Sequence, residues 1–148
     1  MKDKDKWDIL KEQRELDKLL EKAEVLIETT VYPCEDIDKV NKALDNVFQK
    51  PNIERKIGKY ILIQRISSNR NDITRIFNTF RKRKVLAAVR RYAKKYSSEK
   101  EIVIYINKQS AYAGVLNICE PGESPLGEIV IRIRCDRAME LLDRLTEF

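Results

Sequence analysis

Apolar residues recur along this chain with two periods, one near 3.6 and one of 2, and the switches between them mark its elements. From Lys6 to Ala23 a loose stripe of Trp7, Leu10, Leu16, Leu19, Leu20 and Ala23 runs among charged residues, so the spacing predicts an N-terminal helix. Glu24–Tyr32 is dense in β-branched residues and reads as a strand stopped by Pro33. Asp36 then opens a helix carrying Ile37, Val40, Ala43, Leu44, Val47 and Phe48 at helical spacing. Pro51 and Gly58 bracket a basic connection, Tyr60–Ser67 reads as a second strand, and Ser67–Asn71 is a polar loop before a helix that Asp72 can cap.

The next helical stretch contains a phase conflict. Ile73, Ile76, Phe77 and Phe80 share one face, whereas Val85, Leu86, Val89, Tyr92, Ala93 and Tyr96 are rotated from it by about 150° at 100° per residue. A straight helix cannot bury both sets against one sheet. A break or sharp bend is therefore expected at Arg81–Lys84, with those four cations at an exposed corner.

Glu101–Asn107 reads as a third strand, Lys108–Gly114 as a short turn or helix, and Val115–Cys119 as a fourth strand. Two prolines and two glycines make Glu120–Gly127 a turn-rich connection. Glu128–Cys135 alternates strictly, with Ile129, Ile131 and Ile133 on one face and Arg132 and Arg134 on the other. Asp136 is placed to cap a last helix that buries Ala138, Leu141, Leu142 and Leu145. The expected fold is α+β: a largely antiparallel sheet of about five strands with helices on one face. Its order is β-α-β-α-β-β-β-α, preceded by an extra N-terminal helix. Residues 1–23 read as a helical extension and residues 24–148 as a single domain.

Charge sharpens this picture more than composition does. The net charge is +6, but residues 50–96 hold 15 Lys and Arg against 2 Asp and Glu, while both flanks are mildly acidic. The densest part is Arg81–Lys95, with eight basic side chains and no acidic one. Solvated helices usually interleave Glu with Lys; the missing counter-charge points to an anionic partner, foremost nucleic acid. Arg81, Arg83, Lys84, Arg90, Arg91, Lys94 and Lys95 are the candidate phosphate contacts, with Arg70 and Lys108 as peripheral contributors.

Other chemistries find little support. Histidine is absent, and Cys34, Cys119 and Cys135 form no C-x-x-C pair, which removes the usual zinc spacings and the commonest general base. The four glycines fit no phosphate-binding loop. No metal, cofactor or catalytic residue is therefore nominated. No apolar run approaches a bilayer span and the first residues lack a signal-peptide core, so a cytoplasmic protein is expected. Tyr105 and Tyr112 are the stacking residues near the strands, but the aromatic pattern of an RNA-recognition motif is missing. Recognition of RNA backbone or shape fits better than base readout.

Three blocks carry a family resemblance. They are Asn107, Lys108, Gln109, Ala111 and Gly114; Glu123, Ser124, Pro125, Leu126 and Gly127; and Arg81, Arg83, Leu86 and Ala88. With them, approximately Val25–Leu145 resembles an uncharacterised archaeal family carried under an RNA-binding label. The resemblance implies an α+β fold similar to the large-subunit ribosomal protein that holds 5S ribosomal RNA. It also implies a homodimer and kinship with an RNA-binding subunit associated with the archaeal exosome. Two alternatives stay open. The first is an interaction module whose cationic helix docks on an acidic partner or on the other subunit. The second is an enzyme for a small anion, which would need a deep pocket lined by Lys108, Glu123 and a neighbouring carboxylate or cysteine.

Overall fold

The computed structural model describes residues 6–147. In chain order its elements are α1 (Lys6–Leu20), β1 (Glu24–Val31), α2 (Ile37–Val47), β2 (Ile53–Ile57), β3 (Tyr60–Ser67), α3 (Arg70–Lys82), α4 (Leu86–Tyr96), β4 (Glu101–Asn107), α5 (Lys108–Tyr112), β5 (Glu128–Arg134) and α6 (Ala138–Leu145). The strands make one sheet in the order β2-β3-β1-β5-β4, antiparallel throughout. This is the α+β class that the two periodicities predict, with a helix ahead of the first strand.

Register sorts the side chains. Ile27 lies opposite Arg65 on one side and Ile131 on the other, and Ile131 lies opposite Ile104. All four are buried. The adjacent row, Ile66, Leu26, Arg132 and Val103, points to the opposite face. One face thus receives Val40, Leu44, Phe77, Phe80, Leu86, Val89, Leu141 and Leu142 from the helices and forms a single core with them. The other face carries no helical layer among the described residues, and Ile53, Ile57, Tyr60 and Ile66 remain exposed there.

The strand inventory differs from the sequence expectation in two places. Ile53–Ile57, read as a basic connection, is a strand that pairs with β3 through a two-residue turn at Gly58 and Lys59. Gly58 takes φ 62°, a conformation that suits glycine. Val115–Cys119, read as a strand, makes only the bridge Ile106–Ile118 and backbone bonds from Asn107 to Asn117 and from Cys119 to Tyr105. It shields the outer edge of β4 without extending as a ladder.

Two caps also differ. Asn69, not Asp72, caps α3, its Oδ1 accepting from the Asn71 amide at 2.9 Å. Asp72 instead turns inward, where its Oδ2 accepts from the Ser67 hydroxyl at 2.5 Å and meets Lys50 Nζ at 3.0 Å. At α6 the N-cap position is Arg137, with no side-chain cap bond, so Asp136 does not serve.

The expected break is present, and its geometry explains it. The amide of Val85 donates to the Phe80 carbonyl and that of Lys84 to Arg81, each at 3.1 Å. That is the paired closure of a helix whose next residue turns left-handed. Lys84 is that residue, at φ 59° and the only non-glycine with positive φ among the described residues. The turn re-phases the helix, so that Phe77 and Phe80 before it and Leu86 and Val89 after it reach the same core.

Candidate nucleic-acid interface

The break throws four consecutive cations outward. Arg81, Lys82, Arg83 and Lys84 are all exposed. Lys82, Arg83 and Lys84 form no ion pair with an acidic side chain among the described residues. Arg81 donates to Asn78 Oδ1 at 3.3 Å and to the Glu147 carbonyl at 3.1 Å, both neutral acceptors. Exposed Arg75 lies seven residues before Lys82 on the same ridge of α3. Arg75 and Lys82 are absent from the sequence-derived set; the i,i+7 spacing is the signal that finds Arg75.

Along α4 the cations divide. Arg91 is exposed and lies over the Tyr92 ring, 4.9 Å from its centroid. Arg90 and Lys94 share Asp143 of α6, at 3.3 and 3.5 Å. Lys95 meets Glu120 at 2.8 Å, and the hydrogen bond to that carboxylate holds its ammonium above the ordinary lysine range. The sequence stretch has no internal counter-charge, but the fold supplies two carboxylates from later segments. Bare positive charge is therefore concentrated at the corner and at Arg91.

The two peripheral candidates lie apart. Arg70 opens α3 and is exposed, about 16 Å from Arg81 along the helix at 1.5 Å per residue. Lys108 is not on the surface at all. Its ammonium is buried, donating to the carbonyls of Thr30 (2.7 Å) and Leu126 (2.6 Å) and to Glu35 Oε1 (2.9 Å). All three of its protons are used. It ties β1, α5 and the 120–127 connection together, so it cannot meet a phosphate without dismantling that knot.

The same knot accounts for the motif residues around it. Asn107 Oδ1 caps α5 by accepting from the Ser110 amide, and Asn46 Nδ2 reaches the Ala111 carbonyl at 2.7 Å. Gly114 and Gly127 sit at φ 83° and 77°, left-handed conformations that suit glycine, and a side chain at Gly127 would meet the Tyr32 hydroxyl only at ordinary contact distance. Beside the knot is a cleft of about 300 Å³ edged by Cys34, Lys39, Gln109, Tyr112 and Leu126. Glu35, its buried carboxylate, is already taken by Lys108 and the Tyr32 amide.

The bare sheet face is not a second cationic surface. Arg132 pairs with Glu101 at 3.0 Å and Glu28 at 3.6 Å, and Arg134 pairs with Glu101 at 3.1 Å. Tyr105 packs edge-on against Tyr96, and the Tyr112 ring is faced by Lys39 and Lys42. Burial raises the Cys119 thiol, with Glu128 and Glu123 adding to the rise, to about 12, and burial also raises Cys135. Among the described residues no group of three or more Cys, Asp and Glu could hold a metal ion, and no helix is long and apolar enough to cross a membrane.

Comparison with known proteins places the chain in a family without bearing on the corner itself. A family model described as RNA binding matches residues 24–136. A UPF0201 protein of Thermococcus kodakarensis is 39% identical over 122 residues, covering 80% of this chain and 86% of the relative. One from Methanopyrus kandleri is 34% identical over 120 residues, 76% of each. Among solved structures, a UPF0201 protein from Methanococcus jannaschii aligns over 84% of this chain and 99% of its own with TM-score 0.68 and 26% identity. A DUF54 protein of Methanothermobacter thermautotrophicus shares the fold at TM-score 0.65 and 18% identity, over 84% of this chain and 97% of its own. With its family model spanning most of the chain and relatives above 30% identity along it, this chain belongs to the uncharacterised archaeal UPF0201 family, whose model is described as RNA binding.

Proposed function

We propose that this protein is a non-enzymatic, dimeric RNA-binding protein that grips the phosphate backbone of structured RNA at the α3–α4 corner. The observation that carries this reading is the left-handed turn at Lys84. It fans Arg81, Lys82, Arg83 and Lys84 into solvent with no carboxylate paired to the last three among the described residues. A cluster of that kind gains by releasing condensed counterions when phosphates replace them. Arg75 and Arg91 extend the cluster along α3 and α4, whereas Arg90, Lys94 and Lys95 would first have to exchange Asp143 and Glu120 for phosphate. The surface offers charge without an open stack of aromatic rings, which favours backbone and shape over base identity.

The test is binding of fluorescently labelled archaeal RNA to the wild type and to Arg83→Glu/Lys84→Glu. The reading expects tight, salt-sensitive binding that the charge reversal abolishes while circular dichroism stays unchanged. Retained binding by the variant removes the corner from the interface.

One observation favours a second reading. Asp143 and Glu120 already occupy α4, so this surface accepts carboxylates. An acidic protein partner would then compete with RNA, and polyglutamate displacing bound RNA at equal charge would favour that docking role.

A further inference from the structure

α1 is buried progressively from its C-terminal end. Leu19 and Leu20 are in the core and Leu16 packs against it, while every residue from Lys6 to Lys11 is exposed. Glu15 is held to Arg144 of α6 at 2.9 Å. The first two turns therefore project beyond the body, with Trp7 78% and Leu10 49% exposed. They lie one turn apart on a stripe turned away from the one that Leu16 and Leu20 bury. A helix half this short has little stability of its own, and the chain puts its single tryptophan on it.

A second unpartnered surface lies on the sheet. The residues that face away from the helices include Ile57 (56% exposed), Tyr60 (45%), Leu62 and Thr30. With Tyr32, whose ring meets that of Tyr60 edge-on at 5.3 Å, they line an apolar groove of about 350 Å³. Covering one face of a sheet and leaving apolar rows on the other is half of a three-layer arrangement. The chain's own α1 cannot supply the missing layer, because it is fixed to α6 on the opposite side of the sheet.

We infer that the projecting half of α1 from a second copy covers this face, with Trp7 seated in the groove of Thr30, Tyr32, Ile57, Tyr60 and Leu62. The exchange is reciprocal, so one two-fold axis satisfies both arms and both sheets. Trp7 alone brings about 150–250 Å² of apolar surface. Two such contacts, counting the groove surface each covers, come to roughly 600–1,000 Å² against about 1,200 Å² for a stable dimer. Exposed Leu10 and the apolar sheet residues Ile53 and Ile66 add the rest. A buried indole against two tyrosines is also the residue chemistry that dominates interface energy. The family match begins at Glu24, so this contact belongs to a segment outside the matched region. The inference rests on the dimeric part of the proposed function and is independent of the RNA part.

The test is sedimentation velocity of the full chain with intrinsic tryptophan emission over the same dilution series. The expected result is a dimer whose emission is blue-shifted and moves red as it dissociates. Ile57→Glu should be monomeric with red-shifted, dilution-independent emission, and Trp7→Ala should weaken dimerisation at least tenfold. Circular dichroism confirms that both variants fold. Water-exposed emission in a dimer, a monomer at every concentration, or an Ile57→Glu protein that stays dimeric and blue-shifted would each overturn the inference. Loss of RNA binding by Ile57→Glu without loss of the dimer would instead assign the face to nucleic acid and overturn it too. Arg83→Glu/Lys84→Glu serves as the cross-check: it should lose RNA and keep the wild-type emission.

Discussion

The ammonium of Lys108 stands 2.9 Å from the Glu35 carboxylate, and both side chains are shut away from water. A buried pair of this kind is costly to break from one side, because the surviving charge has no solvent. Lys108→Met should therefore destabilise the fold by about 3–5 kcal/mol in urea titrations. It also orphans the carbonyls of Thr30 and Leu126. Adding Glu35→Gln should recover part of that loss. A cost near zero for Lys108→Met would mean that the knot is not structural.

Lys84 occupies a backbone region that costs an L-residue about 1–2 kcal/mol, while glycine enters it freely at some expense in unfolded-state entropy. Lys84→Gly should therefore raise stability by about 0.5–1 kcal/mol. Lys84→Pro, whose φ is fixed near −65°, should lower it sharply. Thermal melts of the two variants moving in the same direction would refute the left-handed turn.

Burial alone would raise the Asp72 carboxyl, but the Ser67 hydroxyl and the Lys50 ammonium outweigh it and hold it below the ordinary value of 3.8. A depressed carboxylate contributes stability that is present above its unfolded value and is lost as pH falls through its folded one. Asp72→Asn should thus cost about 1–3 kcal/mol at neutral pH. The gap from wild type should close below about pH 4, the unfolded carboxylate range. Unfolding free energies of both proteins across that range check this directly.

Thiol chemistry should separate the three cysteines. Cys34 is exposed, whereas Cys119 and Cys135 are buried with raised thiols. An aromatic disulfide reagent at neutral pH should titrate one thiol in the native protein and all three after denaturation. Rapid reaction of two or more native thiols would contradict the packing of the 116–119 segment and of Cys135.

Much of this architecture can be read from periodicity, because burying a face imposes a period. The 150° phase slip between Phe80 and Val85 required a break, and the Lys84 turn provides it. Ile53–Ile57 escaped because an exposed edge strand needs no apolar majority: IERKI has isoleucine only at its ends. Val115–Cys119 misled for the converse reason, since its β-branched residues cover an edge without forming a ladder. The corner cations are legible because they are consecutive. The fate of Lys108 is not, since Thr30 and Glu35 lie more than 70 residues away. The same holds for Asp143, which reaches Arg90 from 53 residues on and narrows the bare charge to the corner.

If the α3–α4 corner binds phosphates, RNA affinity must depend on salt through its cations. Anisotropy titrations of the wild type and of the milder Arg83→Ala/Lys84→Ala over a range of KCl give the slope of log affinity against log salt. Each lost phosphate contact should flatten that slope by about 0.7–0.9. A steep wild-type slope is expected, shallower by at least about 1.4 in the variant. Equal slopes in the two proteins, or wild-type affinity indifferent to salt, would contradict it.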